Sequence, residues 1–177
     1  MRTFIAALIL VATAAAPASA ALKTGAKAPD FVTTGALAGK PFRLHLKEQL
    51  RKGPVVLYFY PKAFTKGCTL EARAFSEASP EFKKAGARVI GLSADDLPTL
   101  LRFSVEECRN SFPVAIATGA MIKGYDVSMP MVGKVTNMTN RTSYVIAPNG
   151  KVVMVHSDMD WSEHVAKTLA AVKSLNR

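Results

Sequence analysis

The chain has 177 residues, 49% of them apolar and 20% charged, and 23 Lys and Arg against 13 Asp and Glu give a net charge of +10. That balance belongs to a globular protein and excludes a disordered one. The basic residues fall singly or in pairs, as in Arg51-Lys52 and Lys83-Lys84, without a stripe or interleaved aromatics. This argues for a solvated basic surface and against a nucleic-acid interface.

Residues 1–20 read MRTFIAALILVATAAAPASA, with basic Arg2, an apolar run from Phe4 to Ala16, and Ala18-Ser19-Ala20 ahead of Ala21. These are the three parts of a secretory signal peptide. An uncleaved membrane anchor is the alternative, but the run is shorter than the roughly 20 residues a bilayer core demands. No Cys lies near the cleavage point, which argues against a lipid-anchored lipoprotein. Residues 21–177 are then expected to form a single domain with no membrane association, periplasmic or secreted.

From Pro54 the chain alternates strand-like and helix-like segments. VVLYFYP, residues 55–61, is an apolar run rich in β-formers and predicts a buried strand. Residues 65–78 place Leu70, Ala74, Phe75 and Ala78 on a helical stripe that is expected to stop near Pro80. ARVIGLSAD, residues 87–95, predicts a second buried strand. Asp95 or Asp96 is placed to cap a helix with Pro98 in its first turn, running to about Arg109 with Leu97, Leu101, Val105 and Cys108 on one stripe. A short PVAIAT strand and a short segment around Ile122 to Tyr125 follow. SYVIAP and KVVMVHS flank Ala147-Pro148-Asn149-Gly150, which suits a type I turn and predicts a hairpin. Trp161, Val165, Leu169 and Val172 predict a final amphipathic helix from about Ser162. This order fits a three-layer α/β sandwich whose sheet carries a terminal hairpin.

Two cysteines, Cys68 and Cys108, in an exported chain would by default form one structural disulfide. The surroundings of Cys68 suggest otherwise. Pro61-Lys62-Ala63-Phe64-Thr65-Lys66-Gly67-Cys68 puts a cysteine in the first turn of a helix that follows a buried strand. The helix dipole and free N–H groups there favour thiolate over thiol, and Lys66 or other cations add to the effect. Thr65 is close enough for its hydroxyl to face the same pocket, and the Pro61 ring can exclude water.

The Pro-x3-Thr-x2-Cys spacing resembles the signature of the peroxiredoxins. The resemblance extends through Ala28-Pro29-Asp30-Phe31, VVLYFYPKAFTKGCTLEA, VIGLSADD and RTSYVIAPNGKV, covers most of residues 24–175, and is most similar to the bacterioferritin-comigratory (PrxQ-like) branch of the AhpC/TSA family. It implies an α/β thioredoxin fold with an N-terminal extension. It also implies a thiol-dependent peroxidase, without metal, haem or other cofactor, acting on hydrogen peroxide and small organic hydroperoxides.

Carried over position by position, the resemblance makes Cys68 the peroxidatic cysteine, oxidised to a sulfenic acid. Thr65 would hydrogen-bond the thiolate or the peroxide, and Pro61 would shield the site. Arg141, just before SYVIAP, would stabilise the thiolate and the charge developing on the peroxide. Glu71 would orient that arginine. The other reading of Arg141 is an exposed charge at a strand edge. Many members of the branch place a resolving cysteine five residues after the first, a position held here by Arg73. Others place it in the helix after the second strand, where Cys108 falls. Cys108 would then form a disulfide that a thioredoxin-like or other thiol reductant reopens; the alternative is a small core hydrophobe, leaving a one-cysteine enzyme.

Met129-Pro130-Met131 and Met138 carry soft thioethers of the kind that bind Cu(I), but read better as irregular apolar loop packing. His45, His156 and His164 lack metal-ligand spacing and read as surface or packing residues. The absence of a C-x2-C motif argues against a thioredoxin-type oxidoreductase. The competing function is an exported non-catalytic thioredoxin-fold binding protein with a structural Cys68–Cys108 disulfide. Pro61, Thr65 and Arg141 favour the enzyme, since a disulfide staple does not require them. A monomer or weak dimer is expected.

Overall fold

In the computed structural model the chain runs β1 (Val32–Leu37), β2 (Lys40–His45), α1 (Leu46–Leu50), β3 (Val55–Phe59), α2 (Lys66–Lys84), β4 (Arg88–Ser93) and α3 (Leu97–Glu106). It continues through β5 (Val114–Ile116), α4 (Gly119–Gly124), β6 (Ser128–Met131), β7 (Lys134–Thr139), β8 (Thr142–Ile146), β9 (Val152–Ser157) and α5 (His164–Ser174). Residues 21–131 and 134–175 are described, the side chains of 130–136 excepted; the signal peptide expected over residues 1–20 lies outside them.

One mixed sheet has the strand order β2-β1-β5-β4-β3-β8-β9. β3, β4 and β5 run parallel, joined by crossovers through α2 and α3, while β8 lies antiparallel to β3. All five residues of β3 are buried, because both faces of the sheet are covered. Val55, Leu57 and Phe59 point into one apolar cluster with Leu46, Leu50, Met121 and Ile122. Val56 and Tyr58 point into the other, with Phe75, Phe82, Leu100, Phe103 and Val172. The period-two split across the strand thus produces three layers, the α/β/α thioredoxin fold expected. The N-terminal extension is the β1–β2 hairpin and α1; β1 docks antiparallel on β5.

The β8–β9 hairpin forms as expected, with the Gly150 N–H donating to the Ala147 carbonyl at 2.8 Å. Four other expectations need correction. Pro80 does not stop α2, which continues to Lys84. The ring removes one backbone donor, yet the packing of Phe82, 1% exposed, fixes the turn beyond it. On α3 the buried stripe is Leu100, Phe103 and Ser104, with Val105 exposed. Two apolar stripes lie side by side in this helix, and the bulkier Phe103 takes the core. The helix ends at Glu106, so Cys108 occupies the following turn; Asp96 is the N-cap, accepting from the Thr99 N–H at 3.0 Å.

Trp161 precedes α5, whose buried face is His164, Thr168 and Val172. The first two are polar and internally bonded, as in Thr168 Oγ1 donating to the His164 carbonyl at 2.6 Å, so a search for apolar periodicity overlooks them. The segment expected as an irregular methionine loop contains the β6–β7 ribbon instead, favoured by the β-forming Val135 and Thr136. Among the described residues no helix is long and apolar enough to cross a membrane.

Gly91 on β4 shows how tightly the sheet face beneath α2 is filled. A β-carbon there would meet the Tyr58 ring at 2.7 Å, and that ring is stacked on Phe75 at 4.4 Å between centroids. Gly91→Ala should therefore destabilise the fold by about 1–3 kcal/mol through overpacking, measured by urea denaturation of the mature protein.

Candidate active site

The pairing of β3 with β8 sets Phe59 opposite Thr142. The residue before β8, Arg141, consequently lies over the end of β3 where the chain leaves for α2. The connecting loop is fixed at three points. The Tyr60 N–H donates to the Leu92 carbonyl at 3.0 Å, Thr139 Oγ1 donates to the Tyr60 carbonyl at 2.7 Å, and the Ala63 N–H donates to Asp95 Oδ2 at 2.7 Å. Phe64 is held in the left-handed region, at φ 62°, a conformation costing a bulky side chain about 1–3 kcal/mol. Its edge-on contact with Phe103, 5.2 Å between centroids, helps to hold it there.

Thr65 is the N-cap of α2, but its hydroxyl donates to the Lys62 carbonyl at 2.9 Å and does not cap the helix. It is exposed and makes no bond to the thiol, the first of the two partners expected for it. With no side-chain cap, the positive end of the helix is left to Cys68 in the first turn, 1% exposed. Pro61 is half-buried and lines an open depression with Lys62, Asp95, Asn137 and Met138.

Arg141 is only 4% exposed, which overturns the strand-edge reading. Nη2 donates to Cys68 Sγ at 3.5 Å, Nη1 pairs with Glu71 Oε2, and Nε donates to the Met159 carbonyl at 3.0 Å. Burial works against the guanidinium charge, but Glu71 and Cys68 outweigh it and raise its pKa. Burial likewise dominates at Glu71, pushing its carboxyl up to about 8 although Arg141 pulls it down.

Three participants were missed by the sequence analysis. A β-carbon on Gly67 would lie 3.1 Å from Arg141 Nη2 and 3.8 Å from Trp161 Cδ1. A glycine directly before the cysteine was the available signal of close approach. His164 is fully buried, in keeping with the packing reading, but its Nδ1 lies 3.7 Å from Glu71 Oε1, a contact the sequence did not indicate. Its Nε2 contacts the Asp158 carbonyl at 3.0 Å; a carbonyl only accepts, which assigns the ring proton to Nε2. Nδ1 then accepts from the Ser143 hydroxyl at 2.8 Å, and burial pushes the imidazole pKa down to about 4. No spacing rule links His164 with Ser143, so the sequence carried no signal for this pair.

Cys68 and Cys108 are both free and buried in the same apolar cluster. Burial, and after it the charge of Glu107, raise the Cys108 thiol well above its ordinary pKa. Its turn is clamped to α2: Arg73 Nε donates to Glu107 Oε2 at 2.7 Å, Arg109 Nη1 to Glu77 Oε1 at 3.4 Å, and the hydroxyls of Ser76 and Ser111 meet at 2.8 Å. His45 lies elsewhere, between Asp30 and Glu48. Among the described residues no group of three or more His, Cys, Asp and Glu is placed to hold a metal. Met129 and Met138 fall on β6 and β7, while the Met131 side chain is outside the described set.

A buried cysteine at an uncapped helix end, faced by a guanidinium and lacking a second cysteine three positions on, is built to attack a peroxide rather than to shuttle a C-x2-C disulfide. On a thioredoxin-type sheet it defines a thiol peroxidase centre. The chain belongs to the AhpC/TSA family, whose profile matches residues 24–155. It is 34% identical over 123 residues to peroxiredoxin Bcp of Xanthomonas campestris pv. campestris, covering 68% of this chain and 76% of that one. It is 33% identical over 153 residues to the chloroplastic peroxiredoxin Q of Oryza sativa subsp. japonica, covering 85% and 67%. The crystal structure of peroxidoxin BcpB from Mycobacterium tuberculosis has a TM-score of 0.76 and 34% identity, covering 87% and 98%. The chain is thus a thiol-dependent peroxidase of the peroxiredoxin family, similar to the Bcp and Q proteins, and the non-catalytic alternative falls.

The Gly67 contact can be tested directly. Gly67→Ala should push Arg141 off Cys68 and slow oxidation of Cys68 by peroxide about tenfold, followed by stopped-flow Trp161 fluorescence, with little change in thermal stability.

Proposed function

We propose that this protein reduces hydrogen peroxide and small organic hydroperoxides through Cys68. The observation that carries this reading is the 3.5 Å approach of Arg141 Nη2 to Cys68 Sγ with both groups buried. The thiolate sulfur attacks one peroxide oxygen; the S–O bond forms as the O–O bond breaks. Sulfur loses two electrons to the peroxide, and water or an alcohol leaves with the proton. Arg141 meets the negative charge that moves from sulfur to the departing oxygen, where a fixed, desolvated cation acts most strongly. The Thr65 hydroxyl, its proton engaged by Lys62, keeps lone pairs to accept the peroxide O–H, and Pro61 limits water. Glu71 orients the guanidinium.

Cys108 acts as the resolving cysteine: its thiol condenses with the sulfenic acid, releasing water, and a thioredoxin-like or other thiol reductant reopens the disulfide. Support comes from the shared apolar cluster and from two phenols in it that feel both thiols. Tyr58 and Tyr60 are raised far above their ordinary pKa by burial first, with Cys108 and Cys68 both adding to it. The protein works outside the cytoplasm after removal of residues 1–20, a reading that rests on the signal-like sequence alone.

One equivalent of hydrogen peroxide should leave the reduced mature protein about 2 Da lighter by intact mass, as the disulfide. Cys108→Ser should stop about 16 Da heavier after one fast oxidation and recycle poorly, and Cys68→Ser should not turn over. Equal oxidation of wild type and Cys68→Ser would reject the mechanism. Loosening the turn that holds Cys108 should help resolution. Arg73→Gln breaks the pair with Glu107 and is expected to speed disulfide formation severalfold while leaving the first oxidation unchanged, followed by quenched-flow mass spectrometry.

A further inference from the structure

Arg141 faces two acids at once. Glu71 is fully buried and Cys68 is 1% exposed, and only one cation lies between them. With both acids ionised the closed site would carry a net negative charge, which an interior of low polarity strongly disfavours. One bound proton restores neutrality, and the structure shows a place for it. Glu71 Oε1 is buried without a hydrogen-bond partner, 3.7 Å from His164 Nδ1.

We propose that His164 is a positioning residue for Cys68: braced by Ser143 and the Asp158 carbonyl, it keeps a proton at the Glu71–His164 contact, so that the charge of Arg141 is left for the thiolate. This rests on the assignment of Cys68 as the nucleophile. A proton on Oε1 closes the gap as a bond to Nδ1, whose single lone pair is then shared between Glu71 and the Ser143 hydroxyl; a proton on Nδ1 closes it in the other direction, with Oε1 and the Ser143 oxygen sharing that donor.

Other charged and titratable groups face the pair from each packed element. Cys68 comes from α2, Tyr58 from β3 and Arg141 from the start of β8. The imidazole of His156 on β9 lies tilted against His164, 4.5 Å between ring centroids. Asp158 and Asp160 follow β9, and Lys167 and Glu163 of α5 act on His156. Arg141 is the one cation in contact with Glu71 among the described residues.

The test is the pH dependence of Cys68 alkylation by iodoacetamide in Cys108→Ser protein, a reading that needs no peroxide. His164→Asn should move the acid limb of the profile upward by ~0.5–1 pH unit, slowing alkylation roughly 3- to 10-fold on that limb. In a Glu71→Gln background, where the carboxyl charge is gone, the same substitution should move it by less than about 0.2 unit. An unshifted limb in His164→Asn, or an equal shift in both backgrounds, would overturn the proposal, the second outcome marking a purely structural role. Should His164→Asn fail to fold, Ser143→Ala removes one oxygen and is expected to shift the limb in the same direction; no shift there would count against the proposal equally. Normal coupling without peroxide turnover would instead overturn the peroxidase assignment.

Discussion

The geometry of this protein turns on a single buried cation. Arg141 has left water almost completely, and such a charge persists only where acceptors replace its hydration. Three acceptors supply this: the Cys68 sulfur and the Glu71 carboxylate on α2, and the Met159 carbonyl beyond β9. The sheet order is what makes this convergence possible. Because β8 pairs with β3, the residue preceding β8 lies at the strand end from which the cysteine loop departs. Gly67 leaves the remaining clearance.

The loop between β3 and α2 is held with corresponding rigidity. Its carbonyl and amide groups are tied to β4, to the end of β7 and to Asp95, and Phe64 stays in an unfavourable backbone region because the surrounding contacts determine it. Such preorganisation suits chemistry in which charge moves over a few ångströms. It also opposes the proposed resolution, since Cys108 lies in a turn clamped by Arg73–Glu107, Glu77–Arg109 and Ser76–Ser111. Attack by Cys68 and the proposed resolution by Cys108 therefore make opposite demands on α2. The buried Tyr58 hydroxyl has no hydrogen-bond partner among the described residues, a cost that local opening would relieve.

Much of this was legible in the chain. The β-forming runs at 55–61 and 87–95, the cap at Asp96 and the turn at 147–150 gave the strands and crossovers because each is a local pattern. Cys68, Thr65 and Pro61 were singled out through residue type and spacing, and Arg141 and Glu71 through the resemblance to the peroxiredoxins. The faces of α3 and α5 were misread for one physical reason: rotation about a helix axis is decided by what the partner layer accepts. In α3 a phenyl ring outranked a row of leucine and valine, and in α5 hydrogen-bonded His164 and Thr168 were buried in place of Trp161.

The sequence by itself determined the chemistry on offer, a helix-end cysteine after a buried strand with an arginine ahead of a late hairpin, because these are matters of side-chain type and local periodicity. The tertiary structure alone decided who shares the charge. That Arg141 answers to both Cys68 and Glu71, that His164 and Ser143 stand behind them, and that the turn carrying Cys108 is clamped to α2 through Arg73 and Glu107 all follow from strand pairing and layer packing. Those contacts join residues tens of positions apart, where no spacing rule reaches.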